Sequence, residues 1–219
     1  KVNINGQISA GNKVLIKSKE IANYGGTIIG NAIGLYAEKD IVNTGETKII
    51  AGETVVLDAK GNIKNTDGVI SSGKDIGLYA GNDINLEGAY ISAEGKVVID
   101  AKNDVNIKTK VVTTKTENGE NVHIVTKNES TYIEGENVLV SSGNDTNVIG
   151  SVISAEKNLS ISAENDINIL AAKDSVYDKT VKTKRRWGRK KKTTTETYDE
   201  SIVSSQLSAG DSLIFNAKN

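Results

Sequence analysis

Between Lys182 and Lys192 this chain places eight of its 27 basic residues, its one tryptophan and no acid. Lys184, Arg185, Arg186, Arg189, Lys190, Lys191 and Lys192 around Trp187 form the constellation best able to do chemistry, and that chemistry is anion recognition. Each such charge beside an anionic bilayer is worth on the order of 1 kcal/mol, and an indole prefers the membrane–water interface. The same charges would also track nucleic-acid phosphates. Without these eight residues the chain carries 19 basic against 28 acidic groups, net −9, so an overall charge of −1 hides a cationic point on an acidic body. The plain alternative is a solvated hairpin end that keeps the protein soluble.

The other reactive side chains are dispersed. Asn82, Asn103, Asn144 and Asn165 each precede an aspartate, but the Gly-rich nonapeptide of calcium-binding β-rolls is missing. They read instead as turn positions, with solvent-facing aspartates and an asparagine ladder bonded from coil to coil. Glycoside chemistry needs two carboxylates held at a defined separation in one groove, whereas Asp and Glu here scatter along turns. The only histidine, His123, falls in a hairpin opposite about Thr114, where cross-strand pairing is its expected role. No GxSxG, HExxH or Walker pattern occurs. Zero cysteines exclude disulfides, thiolate metal sites and a cysteine nucleophile. The sequence therefore assigns no catalytic, cofactor or metal residues.

What must position the basic cluster is a repeat of about 20 to 21 residues. AGNDIN at 80–85 returns as AKNDVN 21 residues later and as AENDIN after a further 62, close to three periods. Each unit holds two or three alternating apolar residues split by Gly, Asn, Asp or Ser, such as Val14, Ile16 and Ile21, or Val56, Leu57 and Ile63. That period of two predicts short strands, and no stretch carries a helical pattern. A coil this small cannot bury its own apolar stripe, so coils must stack. The expected fold is all-β: a right-handed parallel β-helix of roughly eight coils, ~40 Å long at the usual strand spacing. Ile70, Leu78, Ile84, Ile91, Ile99, Val105, Ile153, Ile161 and Ile167 should point inward in aligned columns. Proline, which cannot donate to a ladder, is absent from all 219 residues. The unbroken period reads as one continuous segment over 1–219.

Two insertions interrupt the rhythm, 108–132 after NDVNI and 171–203 after NDINI, and both should leave the rod at the same corner as protruding β-hairpins. The first carries an Asn118-Gly119 turn signal; a strict two-residue turn there would face Glu117 with Glu120, so a four-residue loop is the alternative. A two-residue turn at Trp187-Gly188 in the second pairs Tyr177 with Tyr198, Lys179 with Glu196 and Thr180 with Thr195. The same register sets Arg186 against Arg189, Arg185 against Lys190 and Lys184 against Lys191, so its base closes while its tip repels itself.

ISAEKNLSISAENDINILAAKDS, then KRRWGRKKKTTT, then SSQLSAGDSLIFNAKN, resembles the haemagglutinin repeat of filamentous haemagglutinin-like exoproteins, including the stick-like carriers of contact-dependent growth inhibition toxins. The resemblance covers essentially the whole chain and is most specific over 133–219. It implies a non-enzymatic segment of a protein secreted to the surface of a Gram-negative-type bacterium, exported through the outer-membrane partner of a two-partner system, and supporting adhesion or toxin delivery. Freedom from cysteine suits passage through a narrow pore. Under this reading lipopolysaccharide, anionic lipid or a receptor on a host or target cell is the expected contact of the basic tip, ahead of nucleic acid. The alternative is a carbohydrate-active β-helix enzyme of the lyase or hydrolase type. No apolar stretch approaches 18 residues, so no transmembrane segment is expected. The chain opens without a signal-peptide pattern and has no methionine, which reads as an internal piece of a longer protein.

Overall fold

Ile21 lies against Ile41, Ile41 against Ile63, Ile63 against Ile84 and Ile84 against Val105, each pair one coil apart in parallel register. That repeat of 20 to 22 residues builds the whole shaft. The computed structural model describes residues 1–218, among which there is no helix, and hence none able to cross a membrane. One wall is an eight-stranded parallel sheet running from Val2–Ile4 to Ile167–Leu170. The other walls form a single larger sheet, because strands such as Thr27–Ala37 and Val152–Ala163 continue from one face to the next, with an irregularity at Gly30/Ala32.

Side chains alternate in and out along each strand, so parallel register turns the inward set into continuous columns. Ile28, Ile49, Ile70, Ile91, Ile133 and Ile153 form one; Leu35, Leu57, Leu78, Ile99, Val140 and Ile161 form another. All are buried, each worth about 1.5–3 kcal/mol. Eight of the nine expected core residues are fully buried; Ile167 is only partly so, because among the described residues it lies on the last strand of its wall. In the Thr54–Leu57 stretch it is Val55, not Val56, that joins Leu57 inside.

A further, polar column was not apparent from the pattern. Asn23, Asn43 and Asn65 are buried in the positions that Leu86, Ile107 and Val148 occupy further along. Asn23 Nδ2 donates to Asn43 Oδ1 at 2.8 Å, Asn43 Nδ2 to Asn65 Oδ1 at 2.7 Å, and Asn65 Nδ2 to the Gly68 carbonyl.

The corner after the eight-stranded wall decides where the hairpins emerge. In coils that turn tightly, this corner is Gly25, Gly45, Asp67, Gly88 or Gly150, each at φ between 57° and 83°, a conformation glycine adopts at no steric cost. At the two coils that carry insertions the corner residue is Thr109 or Ala171, neither with positive φ. Thr109 N donates to Ile149 O just as Gly88 N donates to Lys108 O, which fixes the equivalence. Each hairpin is closed at its root by a hydroxyl: Thr131 Oγ1 donates to Lys108 O at 2.8 Å, and Ser205 Oγ donates to Leu170 O at 2.6 Å. The returning residue thus bonds to the last carbonyl before the departure.

Candidate functional site

Lys110–Asn118 and Asn121–Glu129 form the first hairpin; Ala172–Arg186 and Arg189–Val203 form the second. The sequence suggested two separate projections. They are instead one four-stranded antiparallel sheet, joined where Val122 faces Lys179 through to Thr126 facing Ser175. Leaving the same corner at nearby levels of the shaft brings the second strand of the first hairpin alongside the first strand of the second.

Polar side chains seal this joint. Asp174 accepts from Lys127 Nζ at 3.0 Å and from the Asn128 backbone N–H at 2.8 Å. Those bonds, led by that from Lys127, hold its carboxyl below the ordinary range. His123 faces Thr116, not Thr114, because the first hairpin turns on Gly119-Glu120 with Gly119 at φ +61°. Glycine at the first central position favours this turn, and it avoids setting Glu117 against Glu120. His123 Nδ1 then lies 2.6 Å from Asp178 Oδ1 across the joint. A carboxylate only accepts, so Nδ1 carries the proton.

Past Val181, whose N–H donates to Asn121 Oδ1, the second hairpin continues alone to its turn at Trp187 and Gly188, both at positive φ. Arg186 faces Arg189, Arg185 faces Lys190 and Lys184 faces Lys191, each like-charge pair costing a few tenths to about 1 kcal/mol. Trp187 is 94% exposed. With Lys184, Arg185, Arg186, Arg189 and Lys191 it borders a shallow concavity. Relief comes from a residue the sequence did not connect with the tip: Glu120, at the turn of the first hairpin, meets Lys192 Nζ at 2.6 Å. That bond, with the fields of Lys190 and Lys179, lowers its carboxyl pKa. Lys184, Arg185, Arg186, Arg189, Lys190 and Lys191 have no ion-pair partner among the described residues.

The Asn-Asp corners form a ladder of a different kind from the one expected. Asn103 Nδ2 and the Asp104 N–H both donate to Asp83 Oδ1, at 2.7 and 3.2 Å. Asn144 and Asp145 repeat this on Asp104, and Asn165 and Asp166 on Asp145. Each of these aspartates therefore clamps the next coil. A separate asparagine ladder does exist, running from Asn168 to Asn147 to Asn106 to Asn85. No group of three or more His, Cys, Asp or Glu among the described residues is arranged to hold a metal. A shallow groove on the shaft is bordered by Ser72, Ser92, Glu94, Glu134 and Glu156, where Glu134 accepts from the Tyr90 hydroxyl at 2.9 Å.

Stacked coils, interior columns and paired hairpins from one corner define a β-solenoid repeat protein. The chain belongs to the hemagglutinin repeat family, whose sequence model matches residues 58–124 and again 111–210. It is 26% identical over 217 residues to the tRNA nuclease CdiA of Escherichia coli (strain STEC_O31), a match covering 76% of this chain and 7% of that protein. It is 33% identical over 128 residues to the 16S rRNA endonuclease CdiA of Enterobacter cloacae subsp. cloacae, covering 58% and 4% respectively. The chain thus spans less than a tenth of either relative's length. No solved structure matches it significantly.

Proposed function

We propose that this chain is a non-enzymatic length of shaft in a large exoprotein at the surface of a Gram-negative bacterium, and that its basic hairpin tip contacts an anionic cell surface. The observation that carries this reading is the geometry of the hairpin sheet, which leaves one corner of an in-register stack and ends on an exposed Trp187 among unpaired cations. Export through an outer-membrane secretion partner, and adhesion or toxin delivery by the whole protein, follow from kinship with the two CdiA relatives. We assign the nuclease activities in their names to parts outside this segment, which matches less than a tenth of either relative.

Association should be tested by co-sedimentation with vesicles containing anionic phospholipid and, separately, with lipopolysaccharide and with duplex DNA. Binding to an anionic lipid or to lipopolysaccharide, falling steeply with salt and accompanied by a blue shift of Trp187 fluorescence, is the expected result. Neutralising Lys184, Arg185, Arg186, Arg189, Lys190 and Lys191, the tip cations without an ion-pair partner among the described residues, should abolish it without lowering Tm. A neutralised variant that bound like the parent, or no binding at low salt, would reduce the tip to a solubilising end, and binding to DNA alone would replace the cell-surface reading with a nucleic-acid one. The serine and glutamate groove favours a second reading as a glycan-processing surface; turnover of any member of a polysaccharide panel would establish it.

A further inference from the structure

The outer strand of the hairpin sheet, Arg189–Val203, has no neighbour on its far side and is exposed along nearly its whole length. A free edge of fifteen residues is a template for another strand. Its charges are segregated: Arg189 to Lys192 lie at the tip end, and Glu196, Asp199 and Glu200 towards the shaft, with three threonines between. Such a strand is complementary to its own reverse.

The two-residue turn fixes which groups face outward. Arg186 and Arg189 close the turn as a hydrogen-bonded pair, so odd-numbered residues of the outer strand bond inward. Lys190, Lys192, Thr194, Glu196, Tyr198 and Glu200 therefore turn their backbone N–H and C=O to the free edge. In an antiparallel pair, opposed residues either both exchange hydrogen bonds or both do not. A two-fold pairing of this strand with itself must consequently be centred on a residue.

We infer that this edge pairs with the same edge of a second copy of the chain, antiparallel and centred on Thr195. This register sets Lys190 against the partner's Glu200, Lys191 against the partner's Asp199, Thr193 against the partner's Thr197 and Thr195 against the partner's Thr195. Centring one residue closer to the shaft would face Glu196 with its own copy; centring one residue closer to the tip aligns less strand. Opposite charges across strands stabilise the pairing, and symmetry supplies each contact twice. Lys190, Lys191 and Asp199 have no ion-pair partner among the described residues, while Glu200 holds Lys173 at 2.9 Å and the Tyr198 hydroxyl at 3.0 Å. Lys184, Arg185, Arg186 and Trp187 stay outside this seam, so the tip is still available to an anionic surface. The assembly would cross-bridge two shafts through one continuous eight-stranded hairpin sheet.

Sedimentation over a concentration series at low salt tests this. The parent is expected to dimerise, and Thr194→Pro, which removes only an outward N–H, to weaken the dimer by about tenfold or more. The pair Lys190→Glu with Lys191→Glu, and the pair Asp199→Lys with Glu200→Lys, should each remain monomeric alone and associate when mixed, because opposite charges then face each other at every contact, half with the parent's signs and half with the signs reversed. Thr195→Cys should yield a disulfide-linked dimer on mild oxidation. Circular dichroism and Tm of each variant guard against misfolding. A monomeric parent, charge variants that self-associate like the parent, or a mixture that fails to associate would overturn the inference.

Discussion

Asp174 shows how one side chain ties the two hairpins together, and its titration gives the sign of the pH response. Its carboxyl is held below the ordinary aspartate value of about 3.9, first by the Lys127 hydrogen bond and then by the bonds from Asn128. A folded-state pKa depressed in this way contributes stability that is present above the unfolded value and lost as pH falls through the folded one. Glu120 on Lys192 acts with the same sign. Amide exchange of Val122 to Thr126, corrected for intrinsic rates, should therefore lose protection in acid, while Ile76 to Ala80 in the shaft stay protected. Asp174→Asn should show the weakened joint already at neutral pH. Equal protection of both segments at every pH would remove Asp174 from this role. Little of this was legible beforehand. The basic residues and their facing pairs follow from one turn signal, but the contacts of Asp174, His123 and Glu120 depend on which hairpin lies beside which, and local spacing does not encode that. The buried Asn23, Asn43 and Asn65 were hidden for a related reason: asparagine signals a turn, and only the stack supplies the neighbour that satisfies it.

At the scale of elements, the short strands and the departure corner were readable because each is a local event repeated many times. The corner residue carries a further signal, glycine or aspartate in left-handed conformation where the chain turns and threonine or alanine where it departs. That contrast gives an excision with defined ends. Thr109 and Thr131 occupy the places of Gly88 and Ala89, since Tyr132 registers with Tyr90. Deleting 110–130 with Thr109→Gly should therefore rebuild the tight corner, leaving β-type circular dichroism and a cooperative melt. The second hairpin would lose its joint partner, and Glu120 with it. Deleting the same residues while keeping Thr109 should be the less stable of the two, because a bulky residue would be forced to positive φ. If both deletions unfolded, the hairpin sheet would be part of the folding core rather than an attachment to it.

Within the shaft the coils stack on their immediate neighbours, with the hairpin joint and the Lys110–Asp67 pair as links between coils two apart, so the stability of the stack is close to a sum of coil and interface contributions. A defect should then cost in proportion to how many interfaces it breaks. The column Ile8, Ile28, Ile49, Ile70, Ile91, Ile133, Ile153, Leu207 offers a controlled comparison, since the same substitution can be placed at its end or its middle. Ile91 is fully buried between Ile70 and Ile133, whereas Ile8, in the first coil, is only partly buried. Ile91→Asp strands a charge with no partner in an interior of aliphatic side chains and should destabilise by roughly 3–5 kcal/mol, lost over the coils on both sides. Ile8→Asp can be relieved by fraying of one terminal coil and should cost far less, with exchange protection retained from Ile49 onward. Urea denaturation followed by residue-resolved amide exchange separates the two outcomes. Equal losses at both positions would mean that the chain unfolds as a single cooperative block, and the stack would then have to owe its stiffness to coupling beyond nearest neighbours.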